Sequence, residues 1–436
     1  MSDIRKTVGI YTLGCKVNQY ESEAIAERFS SRGFSLLPPQ EMCDVYVINT
    51  CTVTAESDRK VRQTIRRAIA RNPDARILVT GCLAQTAPAS IAEIDGVDFV
   101  CGNTDKLAVV EVAERLLEDG KVPSADICVS DIDAAPFESM SIRKFDRTRA
   151  YIKIEDGCES HCTYCIIPQA RGKIRSKPVD EVLREVQALT ESGCREVVLT
   201  GIETASFGRD IGSSLIDLLE VIDKVPNIGR VRLGSLDPSL IKKPFVERLA
   251  RLKNLAPHFH LSMQSGSNRI LALMKRKYNA EMALAGIQML RDALPHVQFT
   301  TDMILGFPYE GEAEFKETLD FIEKARFLMI HAFPYSKRSG TPAAEMDGQV
   351  PESIRHERVR LLTARQQEIT ASLLAEALHN RPKVTVLFED YKDGYAYGHT
   401  DNFIEVRVPA PRAMHSIIAQ VRVTEADQNG LVGTLV

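Results

Sequence analysis

The residues best suited to chemistry are cysteines, and three of them share one short run, Gly157-Cys158-Glu159-Ser160-His161-Cys162-Thr163-Tyr164-Cys165. Thiolates are soft ligands that favour iron–sulfur clusters. Three on one loop hold a [4Fe–4S] cluster and leave one iron open to a substrate. The competing metal is zinc, whose structural sites need four protein donors; His161 is the residue that would complete such a set. A second set is spread along the chain. Cys15 follows Leu13-Gly14, Cys51 follows Asn49-Thr50 and Cys82 follows Thr80-Gly81, each just beyond a predicted strand. Neighbouring strands of a parallel sheet end side by side, so these thiols are expected to converge and hold a second cluster. The alternative is three buried core cysteines. Cys43, Cys101, Cys128 and Cys194 lack this placement and read as structural.

Loops that carry thiols need strands to anchor them. Between residues 7 and 120, apolar runs at 8–13, 44–49, 76–80 and 98–101 alternate with helical patterns at 21–31 and 56–71. That rhythm predicts an N-terminal parallel α/β domain over residues 1–120. Residues 121–147 mix Asp, Pro, Ser and basic side chains without periodicity and are expected to form a linker. Over 148–375 the rhythm returns, with six candidate strands at 151–154, 196–200, 230–236, 258–263, 298–305 and 328–333. Six βα units predict a partial (β/α)6 barrel with its chemistry at the carboxyl ends of the strands. The first cysteine run follows the first of them. A helix over 355–378 leads into residues 376–436. There, strand-like runs at 384–388, 403–408 and 420–423 and the turns Asp393-Gly394 and Asn429-Gly430 predict a small all-β barrel.

Composition narrows the setting. The 436 residues are 44% hydrophobic and 26% charged, and no apolar run is long enough to span a bilayer. The polar start of the chain lacks a secretory core, so a cytoplasmic monomer is expected. In that compartment ten cysteines are not disulfides. The formal net charge of -4 gives no overall attraction to nucleic acid, so such binding must use local basic stretches. One crowds the helix at 56–71. Another is Arg171, Lys173, Arg175 and Lys177, just after the cysteine run, and a third is Lys275, Arg276 and Lys277. In the C-terminal barrel Tyr395, Tyr397 and Phe403 are candidates for stacking on RNA bases.

The C-x3-C-x2-C run resembles that of the radical S-adenosylmethionine enzymes. The resemblance implies that the open iron chelates S-adenosylmethionine and that Tyr164 lies near the adenine. It points to Thr200, Gly201 and Glu203 for the methionine amino group, with Thr-Gly-Ile-Glu in place of a Gly-Gly-Glu motif. Ser235, Gln264 and Ser265 end later strands and are candidates for the ribose or carboxylate; Gly306 and Phe307 end the fifth strand, where close backbone approach suits an adenine. Over nearly its whole length the chain is similar to the methylthiotransferases, which join a three-cysteine domain, a radical S-adenosylmethionine domain and a TRAM domain. The stretches Thr12-Leu-Gly-Cys-Lys-Val-Asn-Gln-Tyr-Glu-Ser22, Arg232-Leu-Gly-Ser-Leu-Asp-Pro238 and His260-Leu-Ser-Met-Gln-Ser-Gly266 resemble the members that act on threonylcarbamoyladenosine in tRNA. The resemblance implies two [4Fe–4S] clusters and two S-adenosylmethionine molecules, one a methyl donor and one a radical source. It implies methylthiolation at carbon 2 of the adenine beside the anticodon, with a flavodoxin- or ferredoxin-like protein as reductant. The alternatives are the same chemistry on isopentenyladenosine or on a ribosomal protein aspartate, and a non-enzymatic metal-cluster module that binds RNA.

Overall fold

The computed structural model describes residues 6–121, 124–145 and 148–436. Met1 to Arg5, the polar start noted above, lie outside the described residues.

Six parallel strands make the N-terminal sheet: β1 (Thr7–Thr12), β2 (Ser35–Leu37), β3 (Val45–Thr50), β4 (Arg76–Gly81), β5 (Phe99–Cys101) and β6 (Asp126–Cys128), in the order β2-β1-β3-β4-β5-β6. Every residue of β3 is buried, as expected for a central parallel strand covered on both faces. Its side chains alternate. Tyr46 and Ile48 pack with Val61 and Ile65 of the helix Ala55–Arg71, whereas Val45 and Val47 pack with Ile25 and Phe29 of the helix Lys16–Ser31. The expected linker is more ordered than its composition implies. Asp126–Cys128 adds the edge strand β6, and Met140 and Ile142 are buried in the core of the next domain. The three residues of β6 are all exposed, so the strand has no apolar alternation to betray it.

The next six long strands are all parallel where they pair. β7 (Ala150–Lys153) is followed by a short antiparallel ribbon of β8 (Glu155–Asp156) and β9 (Arg175–Ser176). β10 (Glu196–Thr200) and β11 (Arg230–Leu233) join β7 in the order β11-β10-β7; β12 (His258–Gln264), β13 (Gln298–Leu305) and β14 (Met329–Pro334) pair in sequence. Single bridges, Val231 to Leu255 and Leu236 to Leu261, link the two halves into one open barrel wall. A register irregularity between Leu261 and Gln264, with Gln264 at φ 68°, turns the end of β12 toward the lumen. The long helix Glu352–Asn380 lies against β14 through Leu362, Ile369 and Leu373.

The C-terminal strands β15 (Lys383–Lys392), β16 (Tyr395–Thr400), β17 (Glu405–Pro409), β18 (Ile418–Asp427) and β19 (Gly430–Leu435) close into a barrel consistent with a TRAM domain. Asp393 and Gly394, at φ 52° and 81°, form the tight turn between β15 and β16. Phe403 corrects an expectation. Its ring is sandwiched between His258 and His399, with centroids at 4.5 and 4.6 Å, and the guanidinium groups of Arg232 and Arg149 lie over it. His258 begins β12 and Arg149 precedes β7, so Phe403 docks the small barrel onto the amino ends of the strands. It is not an open platform for a base. Tyr395 and Tyr397 are half-buried on β16.

Candidate active site at the carboxyl ends of the barrel strands

The first cysteine loop begins where β8 ends. Gly157, at φ 89°, is needed there because a Cβ would collide with the carbonyl of Lys173. The Cys158 N–H then donates to Gly172 O at 2.9 Å, and the Cys165 N–H to Cys162 O at 3.0 Å, which folds the loop back on itself. Cys158, Cys162 and Cys165 all line one cavity of about 330 Å³. Their thiols are differently placed. Cys158 Sγ lies 3.1 Å from Glu203 Oε2, while Cys162 Sγ accepts from the Arg276 guanidinium at 3.1 Å. Burial, then the Glu203 carboxylate, push the Cys158 thiol far up; burial pushes Cys165 up to about 11. Such sulfurs become thiolates only when a cation sits among them, which is the demand that a metal cluster meets. His161 is exposed and does not line the cavity, so it is not placed as the fourth donor that a zinc site needs. Three thiols on the wall of one cavity are the donor set that a [4Fe–4S] cluster would take.

The other expected contacts divide. Tyr164, Glu203, Ser235 and Gln264 line the cavity. The remaining five do not, each for a physical reason. Thr200 is buried, its carbonyl accepting from the Ile154 N–H. Gly201 is a glycine because a Cβ would lie 2.6 Å from Glu155 Oε2. Ser265 turns away toward Thr318 and Ser267. At Gly306 the close approach is made by Arg355 of the long helix, and Phe307 is fully buried against Tyr335. Sequence reasoning missed Asp237 and Asp302 in the lining, and took Arg276 for a surface cation. Arg276 instead bonds Asp237 at 2.7 Å and Cys162. A lumen-facing period of two along β13, through Thr300, Asp302 and Ile304, was the available signal for Asp302.

Cys15, Cys51 and Cys82 follow β1, β3 and β4, which are adjacent in the sheet. Gly14, at φ 102°, lets the loops meet: a Cβ there would stand 2.7 Å from Cys51 Cβ and 2.9 Å from its sulfur. Burial pushes Cys51 up to about 11, and the neighbouring Cys82 and Cys15 add to the rise. Cys15 and Lys16 stay open to solvent at this edge, yet surrounding protein raises the Cys15 thiol and lowers the Lys16 ammonium, which also feels Arg232 and Arg149 of the barrel. The end of the first domain meets the barrel where Arg338 bonds Asp58 at 2.6 Å. Val53 and Thr54, just after Cys51, form part of the wall of the cavity that holds Cys158, Cys162 and Cys165. Cys43, Cys101 and Cys194 are buried elsewhere in the cores, and Cys128 lies on the exposed edge strand.

Besides Arg276, three residues expected on an RNA-binding surface are not there, and one of them, Lys177, is buried against Glu185. Arg171 is fully buried, and Arg175 is buried and donates to the Arg171 carbonyl at 2.7 Å. A guanidinium sealed from water by paired carboxylates cannot meet a phosphate. Lys173, Lys275 and Lys277 are exposed.

Residues 7–102 match the family model described as uncharacterized protein family UPF0004, and residues 152–322 match the Radical SAM superfamily. The chain is 41% identical over 428 residues to the threonylcarbamoyladenosine tRNA methylthiotransferase MtaB of Bacillus subtilis (strain 168), covering 96% of this chain and 94% of that protein. It belongs to the radical SAM tRNA methylthiotransferases. A Thermotoga maritima relative of the same name is 38% identical, with 98% and 96% of the two chains covered. A tRNA-2-methylthio-N(6)-dimethylallyladenosine synthase of Natranaerobius thermophilus is 34% identical, covering 82% and 81%. Among solved structures, the radical S-adenosylmethionine methyltransferase TsrM from Kitasatospora setae, bound to cobalamin and a [4Fe–4S] cluster, superposes with a TM-score of 0.57 over 78% of this chain and 77% of its own, at 16% identity. As a methylthiotransferase the protein is an enzyme that uses iron–sulfur and S-adenosylmethionine chemistry on tRNA. The loop of Cys158, Cys162 and Cys165, with cavity-lining side chains beside it, has the donors this requires.

Proposed function

We propose that this methylthiotransferase acts on N6-threonylcarbamoyladenosine beside the tRNA anticodon and adds a methylthio group at carbon 2 of the adenine. The observation that carries the reading is the approach of the two cysteine sites. Val53 and Thr54, just after Cys51, wall the cavity lined by Cys158, Cys162 and Cys165, and Arg171, just after that cysteine loop, donates to Cys82 Sγ at 3.3 Å, although Cys15, Cys51 and Cys82 do not themselves line the cavity. The Bacillus subtilis and Thermotoga maritima relatives, at 41% and 38% identity, carry the threonylcarbamoyladenosine name, against 34% for the dimethylallyladenosine synthase of Natranaerobius thermophilus, which favours the first substrate.

When bound, a [4Fe–4S] cluster on Cys158, Cys162 and Cys165 supplies the electron that cleaves S-adenosylmethionine, and one on Cys15, Cys51 and Cys82 supplies the site of sulfur transfer. The chain's own groups do the rest. Glu203, held by Ser160 Oγ at 3.0 Å, offers an acceptor for an amino group, and Ser235 and Gln264 offer polar contacts for a ribose or carboxylate. Arg276 keeps a positive charge against the Cys162 sulfur. Tyr164, Ile304 and Phe333 give the cavity apolar walls that keep water from a radical intermediate. Lys173, Lys275 and Lys277 stand exposed around the cysteine loop, where Thr163 bonds the Met274 carbonyl; they are placed to meet tRNA phosphates. The electron comes from a flavodoxin- or ferredoxin-like reductant.

Mass spectrometry of tRNA nucleosides from a strain lacking this protein tests the substrate. Loss of 2-methylthio-threonylcarbamoyladenosine with accumulation of its unthiolated precursor is the expected result. Unchanged levels, with loss of the dimethylallyl product instead, would move the assignment to that nucleoside.

A further inference from the structure

We propose that Arg171 is a positioning residue for the second cysteine site, and that its guanidinium sets the reduction potential of the cluster held by Cys15, Cys51 and Cys82. The inference rests on the reading that those thiols bind a cluster.

Arg171 belongs to the barrel domain, at the end of the short helix Ile167–Arg171 that follows the first cysteine loop. Its side chain nonetheless crosses into the N-terminal domain. Nε donates to Cys82 Sγ at 3.3 Å. One terminal nitrogen donates to Glu21 Oε1 at 2.6 Å and Asp156 Oδ2 at 3.1 Å, and the other to Asn18 Oδ1 at 2.6 Å. Asn18 extends the grip. Its amide donates to the carbonyls of Leu13, at 2.7 Å, and Thr50, at 2.9 Å, the residues just ahead of Gly14-Cys15 and of Cys51. One arginine and one asparagine therefore tie down all three loops of the site. Planar, many-donor geometry is what permits this, and a lysine cannot reproduce it.

The same contact has an electrostatic consequence. The guanidinium is fully buried, so its charge is poorly screened at the sulfur. A hydrogen-bonded cation on a ligating thiolate stabilises the more negative, reduced state of a cluster and raises its potential. Glu21 and Asp156 hold the arginine in place, and Lys106 and Lys153 in turn pair with Glu21, so the cation is anchored from behind.

The test isolates the second site. With Cys158, Cys162 and Cys165 all replaced by Ala, the anaerobically reconstituted protein should hold about four irons and give one reducible cluster. Its midpoint potential is followed by electron paramagnetic resonance during a dithionite titration. Adding Arg171→Met should shift the midpoint to more negative potential, and Arg171→Lys should shift it less in the same direction. If the Met variant does not fold by circular dichroism, the Lys variant alone decides. An unchanged midpoint in a folded, iron-loaded variant overturns the proposal. Absence of any cluster in the triple-Ala protein that retains Arg171 refutes instead the second-cluster reading on which it rests.

Discussion

At the scale of single residues, the site is defined by sulfurs whose surroundings differ. Cys158 faces a carboxylate, Cys162 a guanidinium, and Cys51 the packed backbone of Gly14. These differences separate roles that spacing alone cannot. Cys158→Ala removes a thiol from the loop beside Glu203 and is expected to abolish S-adenosylmethionine cleavage. Cys51→Ala leaves that loop intact and should retain part of the reductive cleavage while losing methylthio transfer. Quantifying 5′-deoxyadenosine and modified tRNA in parallel checks both; equal loss of the two products in a well-folded Cys51→Ala protein would contradict separate roles. The placement of the six cysteines was legible in the sequence because each stands just after a strand end or in one tight run. Arg171 was misread for a reason of the same scale. Its neighbours Lys173 and Lys177 make a basic stretch on paper, but the short helix Ile167–Arg171 and the ribbon of β8 and β9 send Arg171, Arg175 and Lys177 inward to meet Glu21, Asp156 and Glu185.

At the scale of elements, the parts that face a core on both sides were the readable ones. β3 and β4 are apolar runs with almost every residue buried, and the helix Ala55–Arg71 shows a clear apolar stripe. β2 and β6 are three-residue edges with little burial, and no periodicity marks them. The carboxyl-terminal strand ends were harder again. At Gly201 and Gly306 a glycine admits a neighbouring protein side chain, Glu155 or Arg355, rather than a ligand, and only packing distinguishes the two. Phe403 is the same lesson in an aromatic. Burial alone would keep Glu196 neutral, but Arg232 and Arg149 hold it down to about 2, and the two guanidinium groups it fixes cover the Phe403 ring. Truncating a fully buried phenylalanine costs about 3–5 kcal/mol, so a half-buried one costs about 2 kcal/mol. Phe403→Ala should therefore lower the melting temperature and leave tRNA affinity within about twofold of the parent. A large loss of affinity at unchanged stability would restore the stacking role.

At the scale of the whole molecule, the three domains form one working unit with opposite ends assigned to different tasks. The small β-barrel is fastened to the amino ends of the barrel strands through Phe403, Arg149 and Arg230. The N-terminal domain covers the carboxyl ends. Arg338, after β14, bonds Asp58 at 2.6 Å as well as Thr52, and Asn103 donates to the Ala170 carbonyl at 2.7 Å, so this cover is held on two sides. The central claim is that both cysteine sets hold clusters at this one interface. Iron and zinc analysis of the anaerobically purified protein tests it most directly. About eight irons per chain are expected, falling to about four when either cysteine set is replaced by alanine. About four irons in the parent that vanish with Cys158, Cys162 and Cys165 alone, or stoichiometric zinc in their place, would contradict it.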